Sequence, residues 1–335
     1  MKRALIVGAG GMGRTWGRNL ASHPETEIAG WCDVSLPSLE AACAEIGVTP
    51  EIGTDFPAVL DQVRPDFVVD VTPPEIHHDV VTHALRAGYP VLGEKPMAHS
   101  MEAARAMVAA SEESGKLYMV SQSRRYNAEL VAFCDLVRQI GDIGILNADF
   151  YLGPHFGGFR DEMPSPLVLD MAIHTFDAAR KIAEQDFVSV EAREWNPGWS
   201  WMKGDSSAEA RFTMANGGVF HYRGSWVAHG CMTNWESEWR AHGSLGGARW
   251  DGFSGLSGEV VEGTEGFFYP TRALEPQIPP QFRGGIEGSL DEFLWALKTG
   301  GTPQGECHDN IKSLAMVFAV IQSAAARREV SLDEV

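Results

Sequence analysis

A chain of 335 residues, 44% hydrophobic and with ten tryptophans, has material for two cores rather than one. Its formal charge of −18 speaks against nucleic acid or an anionic membrane surface as a partner. Its five cysteines are odd in number and scattered without a C-x-x-C pair, which fits reduced thiols in a cytoplasmic protein and not a disulfide frame or zinc knuckle.

Lys2-Arg3 ahead of an apolar run has the look of a signal peptide, but the run is too short and glycines interrupt it. No segment approaches the length needed to cross a membrane. Ala4 to Val7 reads as a buried parallel strand. Gly8-Ala9-Gly10-Gly11-Met12-Gly13 follows, a G-x-G-x-x-G pattern with its glycines at 8, 10 and 13. The first permits a tight turn, the second lets backbone approach a pyrophosphate, and the third packs a helix closely on the strand. That helix spans about Gly11 to Ser22 and offers the amides of Gly11 and Met12 to phosphates.

A second strand, Glu27 to Cys32, ends at Asp33, twenty residues beyond Gly13. An acid there accepts from both adenosine ribose hydroxyls and repels a 2′-phosphate, so NAD is expected. Arg14 and Arg18 keep NADP open, and a plain helix cap is the other reading of Asp33. A short strand at Glu51-Ile52, a helix from Asp55 to Val63, a β-branched strand at Phe67 to Val71 and a helix from Glu75 to Ala87 continue the alternation. The strand Tyr89 to Gly93 then runs into Glu94-Lys95-Pro96. A lysine at the carboxyl end of a parallel strand is placed to bind a substrate hydroxyl beside a nicotinamide, although most lysines are solvated surface residues. A helix capped by Ser100 and stopped by Gly115, then a strand at Leu117 to Val120, complete a doubly wound parallel Rossmann sheet over residues 1–121.

Beyond residue 122 the pattern changes. Helical spacing covers Ala128 to Gln139 and Leu167 to Ala183. Antiparallel strands are expected at Asp186 to Val190, Ala208 to Met214, Val219 to Val227 and Trp235 to Ala241. Asn216-Gly217-Gly218 marks a hairpin, and helices near Ile286 to Lys298 and His308 to Arg328 close the chain. The second domain, residues 122–335, is therefore α+β on an open, mostly antiparallel sheet, assigned to substrate binding and oligomerisation. Seven tryptophans from Trp195 to Trp250 fill a core or an interface, with sugar stacking as the alternative for one or two. An uncovered apolar sheet face would favour a homo-oligomer, a dimer or tetramer.

Asp170 and His174 are four apart, so a helix projects them from one face, with Asp177 three further on. One histidine and no cysteine make a poor zinc set, and no metal is expected. A satisfied, partly buried histidine is the plain alternative to a catalytic one.

Together, Gly8–Gly13, Thr72-Pro73-Pro74-Glu75-Ile76-His77, Ala87 to Pro96 and Leu169 to Asp177 resemble the glucose–fructose oxidoreductase / inositol dehydrogenase / rhizopine-catabolism (Gfo/Idh/MocA) family of two-domain NAD(P)-dependent oxidoreductases. The resemblance spans nearly the whole chain, and Glu-Lys-Pro followed by D-x-x-x-H-x-x-D is far more specific than the glycines. It implies that Lys95, Asp170 and His174 form the catalytic group. His174 would act as general base, Lys95 would hold the reacting oxygen, and Asp170 would orient substrate or histidine. It implies further that Glu94 helps hold the nicotinamide region, that Thr72, Pro73 and His77 line the cofactor, and that the Lys95-Pro96 bond is cis. Arg125 matches a family arginine at the domain junction.

Departures from the pattern concern the pocket. Met163-Pro164-Ser165-Pro166 and Ala172 stand where family members often carry glycines. His155, Phe156, Phe159 and Arg160 are candidate substrate contacts. Arg160 would suit a carboxylated sugar or acid, or is a solvated loop residue. The expected activity is hydride transfer between NAD and a secondary alcohol or ketone of a sugar, cyclitol or polyol. A retained-NAD glycosidase and a non-catalytic nucleotide-binding sensor are the rivals.

Overall fold

The computed structural model describes residues 1–280 and 283–335. The chain forms two compact units: Met1–Ser123 with Gly285–Ile311, and Arg124–Gly284 with Lys312–Val335.

The first unit is built from β1 (Lys2–Val7), α1 (Gly11–Ser22), β2 (Thr26–Cys32), α2 (Leu36–Ile46), β3 (Glu51–Gly53), α3 (Phe56–Val63), β4 (Phe67–Asp70), α4 (Pro74–Arg86), β5 (Val91–Gly93), α5 (Met101–Ser114) and β6 (Tyr118–Val120). The strands lie in the order β3-β2-β1-β4-β5-β6, all parallel. The order reverses beside β1, which opens a crevice at the carboxyl ends of β1 and β4. Apolar runs without alternation follow from burial on both faces: Ala4, Leu5, Ile6 and Val7 in β1, and Phe67, Val68 and Val69 in β4, are all in the core. Local chemistry sets the helix ends. Ser35, Asp55 and Ser100 cap α2, α3 and α5 by accepting from the backbone N–H three residues on, each cap contributing about 1 kcal/mol. Gly47 and Gly115 close α2 and α5 in left-handed backbone. Helix α2 and the glycine ending β3 were not foreseen in the sequence.

The second unit carries α6 (Ala128–Gln139), β7 (Ile143–Tyr151), the short α7 (Phe159–Glu162), a π-helical turn over Leu167–Ala172, α8 (Ile173–Ala183), β8 (Phe187–Trp195), β9 (Ser207–Met214), β10 (Val219–Ser225), β11 (Glu238–Gly243), β12 (Gly246–Trp250), β13 (Leu256–Val261) and β14 (Thr271–Leu274). α9 (Gly285–Thr299) returns to the first unit, where Asn19 Nδ2 donates to the Ile286 carbonyl at 3.1 Å and Phe67 meets Phe293 at 5.4 Å. α10 (Cys307–Ala326) starts in the first unit and runs into the second, and β15 (Val330–Ser331) ends the sheet.

The nine strands of the second sheet lie in the order β14-β13-β12-β11-β7-β10-β9-β8-β15, antiparallel throughout except for β7 beside β10. Asn216-Gly217-Gly218 makes the turn from β9 into β10 as expected. One face holds the core, with Phe176 on Phe212 at 5.1 Å and Phe212 on Phe220 at 5.6 Å. The other face is polar. Alternation along β7, β10, β11 and β12 puts Asn147, Asp149, Arg223, Glu238, Arg240 and Arg249 there, around a groove of about 670 Å³. Trp226, Trp239 and Trp250 are core residues, whereas Trp195, Trp199 and Trp235 are exposed. Among the described residues no helix is long and apolar enough to cross a membrane.

Candidate active site

The glycine loop of the first unit separates packing from ligand space. Gly8 has φ +109°, and a Cβ there would sit 2.6 Å from the Val71 carbonyl oxygen. One at Gly13 would sit 2.2 Å from the Gly8 carbonyl oxygen. At Gly10 and Gly11 a Cβ would meet no protein atom within 4 Å. The first and third glycines are demanded by the fold itself, while the middle pair borders open space at the start of α1, where half-exposed Met12 also lies. The cradle fits a dinucleotide pyrophosphate.

Asp33 closes this loop on its flank. Its Oδ2 accepts from the Ala9 N–H at 2.7 Å and its Oδ1 from the Ser35 N–H at 2.8 Å. The cap of α2 is Ser35, so the helix-cap reading of Asp33 gives way to a carboxylate fixed against the glycine loop. Arg14 pairs with Glu45 of α2 at 3.0 Å, and Arg18 pairs with the same carboxylate.

Beyond β4, Asp70 organises the next loop. Its Oδ1 accepts from the Thr72 N–H at 3.1 Å and the Thr72 hydroxyl at 2.7 Å, and its Oδ2 lies 2.6 Å from His77 Nδ1. Both Asp70 and His77 are buried. Burial disfavours the His77 imidazolium, but Asp70 outweighs it and holds the ring above its ordinary value. The His77 ring thus faces Asp70, with its Nδ1 also 3.3 Å from the Thr72 hydroxyl. Glu94 is buried too: Trp16 Nε1 donates to its Oε1 at 2.7 Å, and the Lys95 N–H donates to its Oε2 at 3.1 Å. Burial pushes the Glu94 carboxyl up against the pull of Trp16 and Lys95. These bonds pin the backbone of Lys95, whose bond to Pro96 is cis, to the end of β5 and to α1.

In the second unit, the expected helix from Leu167 to Ala183 begins as a π turn and becomes α-helical only at Ile173. Asp170 sits in the π turn and His174 in the first turn of α8, both buried. Wide turns of this kind recur at functional sites because they re-aim side chains without breaking the helix. Pro164 and Pro166 remove two backbone donors from the approach to it.

Both aspartates of the motif are paired with arginines. Arg160 Nε donates to Asp170 Oδ2 at 2.6 Å, and its guanidinium lies over Phe156 and Phe159, 5.1 and 4.7 Å from the ring centres. Asp177 accepts from Arg125 Nε and Nη2, both at 2.7 Å, and from the Ser313 hydroxyl at 2.7 Å. His155 stacks on Trp201 at 3.8 Å, and Trp201 lies parallel to His229 at 5.8 Å.

The structure adds three residues that sequence reading missed. Asp70 ends β4 and carries the loop to His77. Arg124, mostly buried, lies within electrostatic reach of Glu236, Tyr222 and Asp170, and burial pulls its guanidinium below the usual range in spite of them. Tyr222 is buried with its hydroxyl unpaired among the described residues. The pairing Ser123-Arg124-Arg125 was the available signal for Arg124.

Known proteins bear on these two sites. The family model described as an oxidoreductase family with an NAD-binding Rossmann fold matches residues 2–122. That of the same family's C-terminal alpha/beta domain matches residues 148–332. An uncharacterized protein, y4oX, of Sinorhizobium fredii is 28% identical over 99% of this chain and 96% of its own length. The 1,5-anhydro-D-fructose reductase of Ensifer adhaerens is 25% identical over 99% of both chains, and an inositol 2-dehydrogenase of Arthrobacter is 30% identical over 57% of both. An oxidoreductase from Agrobacterium radiobacter, solved in complex with NAD+, L-tartaric acid and magnesium, shares the fold with a TM-score of 0.86 at 23% identity over 99% of both chains. Matched in both halves, the chain belongs to the Gfo/Idh/MocA family of NAD-binding oxidoreductases that its motifs resemble.

Proposed function

We propose that the protein is a dehydrogenase or reductase that transfers hydride between NAD and a secondary alcohol or ketone of a sugar, cyclitol or related polyol. The observation that carries this reading is the buried Asp170 and His174 on the π-to-α junction, in a chain whose other unit has a dinucleotide cradle and Lys95 at the end of β5. Bound NAD+ supplies the hydride acceptor. His174 takes the proton of the alcohol as hydride leaves. Lys95 donates to the same oxygen and, as a cation, stabilises developing alkoxide character. Asp170 orients the hydroxyl and the imidazole. Glu94 fixes the Lys95 backbone, and Asp70 with His77 holds Thr72 and Pro73 in the cofactor loop.

NAD is favoured over NADP in this reading because the Asp33 carboxylate, fixed beside the glycine loop, would meet the adenosine ribose, and Glu45 pairs with both Arg14 and Arg18. Residues 1–121 serve the cofactor. Residues 122–335 serve the substrate and the assembly of a cytoplasmic homo-oligomer, a dimer or tetramer.

The test is reduced-nicotinamide absorbance with NAD or NADP across inositols, aldoses, sugar acids and their oxidised forms, for wild type, Lys95→Ala and His174→Ala. Turnover with NAD, lowered about 10²–10⁴-fold in each variant, is the expected result. Tight NAD binding without turnover of any member would reject it.

A further inference from the structure

Arg160 is held from three sides and left open on the fourth. Its Nε is anchored on Asp170 at 2.6 Å, and the rings of Phe156 and Phe159 flank the guanidinium carbon at 5.1 and 4.7 Å. Its Nη1 and Nη2 meet no acceptor among the described residues, and the side chain is about a third exposed. A guanidinium offers five donors in a rigid fork, and one of them is spent here. The remaining edge, fixed in direction by the carboxylate behind it and the rings beside it, matches a planar carboxylate at two points.

Asp170 has two guanidiniums within electrostatic reach, Arg160 in contact and the mostly buried Arg124. Glu236 is the other acid near Arg124, at 3.9 Å. A neutral polyol would hydrogen-bond Asp170 but leave the Arg160 edge to water. A substrate carrying a carboxylate satisfies both.

We propose that Arg160 is a specificity residue that receives the carboxylate of a polyhydroxy acid, a uronate or aldonate, while Asp170 takes a hydroxyl of the same molecule. This rests on the oxidoreductase reading above and narrows its substrate class. The exposed rings of Phe156 and Phe159 keep the guanidinium from folding back onto the surface, and their faces stabilise its charge.

The experiment compares matched pairs, a uronate with its aldose and an aldonate with its alditol. The readouts are kcat/KM with NAD+ and calorimetric titration into the NADH-loaded protein, for wild type, Arg160→Gln and Arg160→Lys. Wild type is expected to favour the acid in each pair. Arg160→Gln lowers the acid-to-neutral ratio roughly ten- to hundredfold, as expected for a charge-assisted hydrogen-bonded pair. Arg160→Lys recovers part of it, because a point charge attracts but does not fork. Equal use of acid and neutral partner by wild type, or an equal loss of both in Arg160→Gln, overturns the proposal and leaves the oxidoreductase reading intact; the second result makes Arg160 a residue that only orients Asp170. Acid binding that depends on Arg160 without turnover of any pair upholds this site and rejects the oxidoreductase reading. No binding of either acid overturns the proposal directly.

Discussion

Arg125 grips Asp177 at two points, Nε and Nη2 each 2.7 Å from a carboxylate oxygen, in the water-excluded interior of the second unit. Ser313 donates to the same carboxylate, and Arg180 reaches on to Ser313 at 3.0 Å and Asp186 at 3.2 Å. The two aspartates of one eight-residue motif therefore do different work. Asp170 lies against a part-exposed arginine beside His174, whereas Asp177 neutralises a buried one. Asp177→Ala strands the Arg125 charge and is expected to cost about 3–5 kcal/mol of stability. Asp170→Asn weakens a charge-assisted bond to a part-exposed arginine and should cost less, about 1–3 kcal/mol, while abolishing turnover. Urea unfolding of both variants checks this, and a wild-type midpoint for Asp177→Ala would remove the structural role.

The glycine loop allows a similar separation of stability from binding. Gly13→Ala drives a methyl into the Gly8 carbonyl oxygen, 2.2 Å away, and is expected to destabilise the protein without ligand by about 1–3 kcal/mol. Gly10→Ala meets no protein atom, so the unliganded melting temperature should stay at the wild-type value. Its methyl instead occupies the space in which backbone approaches phosphate, and NAD+ affinity should fall about tenfold, ~1.4 kcal/mol. Thermal melts with and without NAD+ distinguish the two. A stabilising NAD+ shift that survives in Gly10→Ala would argue against this cradle.

Much of the first unit was legible because its signals are local. The run Ala4 to Val7, the spaced glycines, and Ser100 and Gly115 at the two ends of α5 each act within a few residues. The second sheet was half legible. The strands around Asn216-Gly217-Gly218 were evident from the turn, but β7 pairs in parallel with β10, some 70 residues away, and its Gly144 and Asn147 blur the strand pattern. β12 and β13 are short and carry glycines that read as loop. In the candidate site, Lys95, Asp170 and His174 stood out by motif. The fork of Arg125 on Asp177 joins residues 52 apart, and the Arg160–Asp170 pair crosses a proline-rich loop and a π turn. No periodicity foretells those partners, since they depend on where the loop returns.

In the proposed reading, cofactor choice rests on four side chains, Asp33, Glu45, Arg14 and Arg18. Asp33 holds the Ala9 amide, and Glu45 occupies Arg14 and Arg18. Asp33→Ser removes the charge that would repel a 2′-phosphate, and Glu45→Gln added to it releases two guanidiniums to meet that phosphate. The ratio of kcat/KM for NADP over NAD is expected to rise about tenfold or more in Asp33→Ser, ~1.4 kcal/mol, and further in the double variant. Steady-state rates with both cofactors measure it. A ratio that does not move with Asp33→Ser would mean that the carboxylate serves the loop alone.

Glu194 on β8 makes stability depend on pH. Burial raises its carboxyl to about 7, against the Ser165 hydroxyl that donates to Oε2 at 3.3 Å, with Asp205 adding to the rise. Its Oε1 is buried without a partner among the described residues. The folded protein thus holds a proton here that the unfolded chain, titrating near 4.5, has already released. With more protons bound in the folded state, stability falls as pH rises. The contribution is complete below about pH 4.5 and is lost progressively up to about pH 7. Glu194→Gln mimics the protonated form, so it should match wild type at pH 4 and exceed it in stability at pH 8. Urea midpoints of the two proteins across that range give the difference directly. A difference that shrinks with rising pH would show that Glu194 is ionised and satisfied in the folded state, its Ser165 contact and the water around it sufficing for the charge.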